Sequence, residues 1–72
     1  MNIYQRLKDI REDNEKTQKE IAELIGTSQS YYAQYENGKR AIPFDRVILL
    51  AEYYNVSLDY LAGLIDTPRK LR

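Results

Sequence analysis

Seventy-two residues make one domain, near the lower size at which a hydrophobic core sustains itself. The chain has no Cys and no His, which excludes a disulfide framework and a Cys/His metal site and takes the commonest acid–base and nucleophilic groups from any enzyme. Eleven basic residues balance eleven acidic ones, a neutral sum that weighs against nucleic-acid binding and leaves local clusters to decide.

No apolar stretch reaches bilayer-spanning length and no signal peptide opens the chain. The expectation is a cytoplasmic protein with no membrane contact, no cofactor and no metal.

Asn2, with Gln5 three positions on, predicts the start of a first helix. Ile3, Leu7 and Ile10 line one face of it, and Arg11 sits at that face's edge. Asp13-Asn14-Glu15-Lys16 is a polar connection. Thr17 and Glu20 form a second capping pattern, followed by Ile21, Leu24 and Ile25 as one apolar stripe. Gly26 tolerates positive φ and ends that helix in a sharp turn. Ser28 then caps a third helix over 29–36.

On that third helix Tyr32 and Tyr35 share one side and read as core, with hydroxyls reaching the rim. Ser30, Ala33, Gln34 and Asn37 occupy the opposite side, and Gln29 stands at the N-terminal end. This outer face has amides and small side chains, without charge or bulk. Gln can present donor and acceptor together to adenine in the major groove; the same face would also serve as plain uncharged surface. Glu36 falls toward the core side, where an unpaired carboxylate is costly. Asn37-Gly38 closes the helix, and Lys39-Arg40 follows as a basic pair suited to phosphate or simply to water.

Pro43 suits the first turn of a fourth helix, in which Phe44, Val47, Ile48, Ala51 and Tyr54 recur at helical spacing and Leu50 widens the stripe. Leu49 falls off it. Asn55 ends that helix and Ser57 caps a fifth, with Val56 and Leu61 as a hydrophobic staple. Tyr60, Leu64 and Ile65 either close the core or join Leu49 and Tyr53 in a two-fold dimer contact. Residues 67–72, with Arg69, Lys70 and Arg72, read as a mobile basic tail after a domain spanning 1–66.

The ordered set of Arg11, Gln18, Ile21-Ala22-x-Leu24-x-Gly26, Ser28-Gln29-Ser30-Tyr31, Glu36-Asn37-Gly38-Lys39-Arg40, Leu50-Ala51 and Val56-Ser57-Leu58-Asp59-Tyr60-Leu61 resembles the Cro and phage-repressor (XRE-like) family of bacterial DNA-binding domains. The likeness covers about residues 3–64. It implies an all-α, five-helix bundle with a helix-turn-helix, and an ion pair between Arg11 and Glu36.

It also implies a regulator, most simply a repressor, of double-stranded DNA. Ser28, Gln29, Ser30 and Gln34 would meet base edges. Gln18, Tyr31, Asn37, Lys39 and Arg40 would meet phosphates, Tyr31 being equally able to flank the core. A homodimer would call for an approximately palindromic operator, and a protein regulator would act in place of a sensing domain. The alternative is a protein-binding adaptor or antitoxin-like module on the same fold.

Overall fold

Four side chains start four of the five helices in the computed structural model, which describes residues 2–70. The Asn2 side chain accepts from the Gln5 amide and opens α1, Ile3–Asp13. Thr17 and Glu20 satisfy each other's backbone N–H groups at 3.1 and 3.0 Å, a complete capping box for α2, Gln18–Leu24. Ser28 opens α3, Gln29–Glu36, and Ser57 opens α5, Leu58–Leu61. Only α4, Phe44–Tyr54, lacks a side-chain cap. Pro43 stands just outside its first turn, one position earlier than expected, and its carbonyl takes the N–H groups of Arg46 and Val47. The Gln5 side chain does not close a box on Asn2. It reaches forward to Asp9 instead.

Every helix ends with the same pair of bonds. An N–H just past the helix returns to a carbonyl five residues back, and its predecessor bonds three residues back, as in Thr27 to Ala22 and Gly26 to Glu23. The pattern requires a left-handed residue, and Gly26 and Gly38 supply it at the two ends that frame the turn and the basic loop. In α1 and α4 the same place is held by Glu15, at φ 57°, and by Asn55, at φ 55°.

The core unites all five helices: Leu7 and Ile10 of α1, Ile21 and Ala22 of α2, Tyr32 and Tyr35 of α3, Val47, Leu50 and Ala51 of α4, and Leu61 of α5, with Ile25 and Val56 beside them. Three residues placed on apolar stripes by their spacing are in fact exposed. Leu24, Phe44 (66% exposed) and Ile48 lie on the flanks of their helices. On α4 the buried arc centres on Val47, Leu50 and Ala51, and at 100° per residue Phe44 and Ile48 fall together to one side of it.

The segment after α5 folds back, and the Ser57 N–H donates to the Arg69 carbonyl at 2.7 Å. The backbone at residue 69 is therefore held, contrary to the expectation of a free tail from 67 onward. Leu71 and Arg72 of that tail lie outside the described residues. Among the described residues no helix is long and apolar enough to cross a membrane.

Candidate nucleic-acid interface

Two short helices and a tight turn set the geometry. Gly26 swings the chain from α2 into Ser28, whose cap fixes the first turn of α3. The inner side of α3 is anchored by Tyr32 and Tyr35, almost fully buried and packed edge to face with ring centroids 6.3 Å apart. The Tyr35 hydroxyl reaches the rim and accepts from Arg46 Nη1 at 3.1 Å, a brace from α4. The Tyr32 hydroxyl does not reach the rim. It is sealed beside Glu36 without a well-formed hydrogen bond, and burial together with that carboxylate pushes its pKa upward.

Glu36 is gripped from two directions. Arg11 Nε donates to Oε2 at 2.7 Å and Nη2 donates to Oε1 at 3.1 Å, while Nη1 takes the Lys16 carbonyl. Gln18 Nε2 adds a bond to Oε1 at 3.2 Å. Burial alone would raise the Glu36 pKa, but the hydrogen bonds from Arg11 and Gln18, with the Tyr32 hydroxyl close by, outweigh it and leave the carboxyl below its ordinary value. The Gln18 side chain is thus turned inward onto Glu36, leaving the first turn of α2 to offer backbone N–H groups outward.

The outer side of α3 is open at its first turn and at its end. Gln29 and Ser30 are exposed at its first turn, and Asn37 is exposed at its end. Ser28 is exposed too, with its oxygen taken by the Tyr31 N–H and its O–H still able to donate. Gln34 is half-buried. Lys39 and Arg40 leave the helix directly beyond Gly38, whose Cα lies so close to the Tyr4 ring that an added Cβ would meet it at 3.3 Å. Lys39 is exposed. Arg40 turns back over the helix, its Nε donating to Gln34 Oε1 at 2.8 Å and its guanidinium 4.6 Å from the Tyr31 ring centre. Tyr31 itself is a flank residue, with its ring edge against Tyr35.

The expected dimer residues divide into two groups. Leu49 and Tyr53, one turn apart on α4, are exposed, as is Leu64. Tyr60 and Ile65 are half-buried, because Arg6 lies over the Tyr60 ring at 3.8 Å and donates to the Ile65 carbonyl. Arg6, only 4% exposed, and Arg46 are structural residues that sequence reasoning missed. Nothing in hydropathy marks an arginine that packs through its stem and plane. A cleft of about 510 Å³ beside Arg6 is lined by Asp9, Asp13, Tyr60 and Asp66 and contains no α3 residue.

Two short helices around a glycine-ended turn, the second buried by two tyrosines and bare on its far side, form a helix-turn-helix. The chain belongs to the helix-turn-helix family, whose pattern matches residues 7–61. The uncharacterized HTH-type transcriptional regulator YobD of Bacillus subtilis (strain 168) is 41% identical over 64 residues, covering 89% of this chain and 57% of YobD. A transcriptional regulator from Listeria innocua superposes with a TM-score of 0.84 at 25% identity, over 89% of this chain and 60% of that one. The P22 c2 repressor, solved with a synthetic operator, shares the fold with a TM-score of 0.76 at 20% identity, over 85% of this chain and 92% of that one. The chain spans a little over half the length of the curated relatives YobD and ImmR.

Proposed function

We propose that this chain is the DNA-reading part of a transcriptional regulator, acting as a repressor, that lays α3 in the major groove. The observation that carries this reading is the uncovered, uncharged first turn of α3. Gln29 and Ser30 stand exposed on a helix whose far end is fixed by Arg11, Gln18 and Arg46. Base readout needs amides held rigidly outward, and an ordinary solvated helix face would more often carry Lys and Glu.

Gln29, Ser30, Ser28 and Gln34 meet base edges. The α2 N-terminus at Gln18, with Tyr31, Asn37 and the basic pair Lys39 and Arg40, meets phosphates and sets register. No reaction is assigned to the chain. It works in the cytoplasm as a homodimer on an approximate palindrome with half-sites about one helical turn apart, and Leu49, Tyr53 and Leu64 supply the apolar contact between copies.

The test is selection of bound duplexes from a random pool, repeated across salt concentrations. An enriched two-half motif whose binding weakens steeply with salt is the expected result. Capture of no duplex above background would transfer the function to the Leu49–Tyr53 side, as a protein-binding module.

A further inference from the structure

Arg40 and Gln34 do not behave as two independent contacts. The Gln34 side-chain oxygen Oε1 already accepts from Arg40 Nε at 2.8 Å, while the guanidinium rests 4.6 Å from the Tyr31 ring centre. Adenine readout by glutamine needs that oxygen as acceptor for N6–H and the amide N–H as donor to N7. With one lone pair of that oxygen taken and its direction fixed by the guanidinium, Gln34 keeps two donors and a single remaining acceptor site. Arg40 has committed one N–H of five, and its Nη groups remain open. The guanidinium, which has no acceptor at all, therefore presents donors alone. In the major groove, guanine is the base whose edge offers two acceptors, O6 and N7, and no donor.

The backbone explains why Arg40 lies there. Gly38 takes φ 74°, and the N–H groups of Lys39 and Arg40 both return to the Gln34 carbonyl, at 2.9 and 3.3 Å. The loop is thereby folded onto the last turns of α3, and the Arg40 side chain, though exposed, runs back along the helix toward Tyr31. A phosphate contact requires only charge within reach. Fixing the plane and direction of a guanidinium is what a bidentate base contact requires, and it removes ordering cost in advance.

We propose that Arg40 is a specificity-determining residue that reads a guanine through its Nη pair, with Gln34 and Tyr31 as the positioning residues that aim it. This rests on the DNA-reading function proposed above. It moves Arg40 from the phosphate-contacting set to the base-reading set, and Gln34 from reader of adenine to holder of the reader.

The experiment is duplex selection from a random pool with the wild type, Arg40→Lys, Gln34→Ala and Gln34→Glu. Arg40→Lys keeps the charge and loses the fork. The wild-type motif is expected to contain a guanine whose preference falls on the order of tenfold or more in Arg40→Lys. Gln34→Ala relaxes the same base pair, and Gln34→Glu, whose carboxylate still accepts from Nε, retains the guanine preference at lower overall affinity. An unchanged motif with Arg40→Lys makes Arg40 a phosphate clamp and overturns the proposal. So does a Gln34→Ala motif relaxed at a different base pair from Arg40→Lys, or a Gln34→Glu motif that has lost the guanine. A wild type that enriches no motif fails earlier, and overturns the DNA-reading function together with this inference.

Discussion

Arg11 holds Glu36 as a fork holds a plate edge, through two near-parallel hydrogen bonds of 2.7 and 3.1 Å. Its third nitrogen takes the Lys16 carbonyl, so one guanidinium joins α1, the link into α2, and the end of α3. The side chains are 11% and 2% exposed, which makes the contact nearly dry. A buried pair adds little over an apolar pair of the same volume, but stranding one member is costly. Glu36→Ala and Arg11→Ala should each lower unfolding free energy by about 3 kcal/mol, read from urea midpoints. Arg11→Met with Glu36→Leu should recover much of that loss. Arg11→Lys should recover little, because an ammonium cannot span both oxygens.

The same carboxylate gives folding an acid limit. Glu36 titrates below its ordinary value in the folded chain, where burial is outweighed by the hydrogen bonds from Arg11 and Gln18 with the Tyr32 hydroxyl close by. The unfolded chain then binds the proton first as pH falls, and stability drops in that direction. The contribution is complete above the unfolded carboxyl pKa of about 4.3 and is lost as pH passes down through the folded value. Glu20 acts with the same sign, its pKa lowered chiefly by the Thr17 backbone N–H. Urea midpoints from about pH 7 to about pH 3 should fall steeply for the wild type and less steeply for Glu36→Gln, which starts lower. Parallel curves would show that Glu36 does not set the limit.

Glu36 also shows what a sequence can reveal. Its helical phase put a carboxylate on the core side, so a cationic partner was required, and family spacing pointed to Arg11. The caps at Asn2, Thr17, Ser28 and Ser57 were legible because a cap is a local rule, written within four residues. Long-range packing of polar side chains was not legible. Arg6 over Tyr60, Arg46 at the Tyr35 hydroxyl, and Arg40 on Gln34 depend on how separate segments meet, and an arginine reads alike whether it is solvated or sealed. Phe44 was misplaced for a related reason: helical phase gives the direction of a side chain but not where the opposing surface ends.

Glu15 is the left-handed residue at the end of α1, at φ 57°, with its N–H bonded to the Glu12 carbonyl at 2.9 Å. An L-residue with a Cβ is disfavoured there by about 1–2 kcal/mol, part of which glycine gives back through its freer unfolded chain. Glu15→Gly should therefore stabilise the fold by up to about 1 kcal/mol, with Glu15→Asn intermediate. The thermal midpoint is the measurement. A lower midpoint for Glu15→Gly would mean that the carboxylate does something at this turn that its backbone position does not explain.

Tyr54 is half-buried, yet its hydroxyl is sealed and finds no hydrogen-bond partner among the described residues, and burial with nearby Glu36 pushes its pKa upward. Removing a buried polar group that lacks a partner is near neutral or stabilising. Tyr54→Phe should change stability by less than about 1 kcal/mol, in the stabilising direction. Tyr35→Phe, which leaves Arg46 without its acceptor, should cost about 1–2 kcal/mol. The contrast between the two in urea unfolding is the check, and equal losses would contradict it.

Gln29 opens α3 and Lys39 lies in the loop beyond its other end, and their proposed contacts obey different laws. The Lys39 backbone N–H is taken by the Gln34 carbonyl, so only its side-chain charge is free to meet DNA. A phosphate contact releases counterions and carries no sequence information. Lys39→Ala should therefore weaken all duplexes alike. It should reduce the slope of log K against log salt by about 0.9 for each phosphate that is no longer neutralised, hence by roughly twice that for a dimer. Gln29→Ala removes an amide without removing charge. It should leave the salt slope unchanged and cost about 1–3 kcal/mol of discrimination at one base pair in each half-site. Titrations of the selected duplex and of single-base variants at several salt concentrations separate the two effects. If Lys39→Ala alters base preference, or Gln29→Ala alters only the salt slope, the proposed assignment of Gln29 to bases and Lys39 to phosphate is wrong.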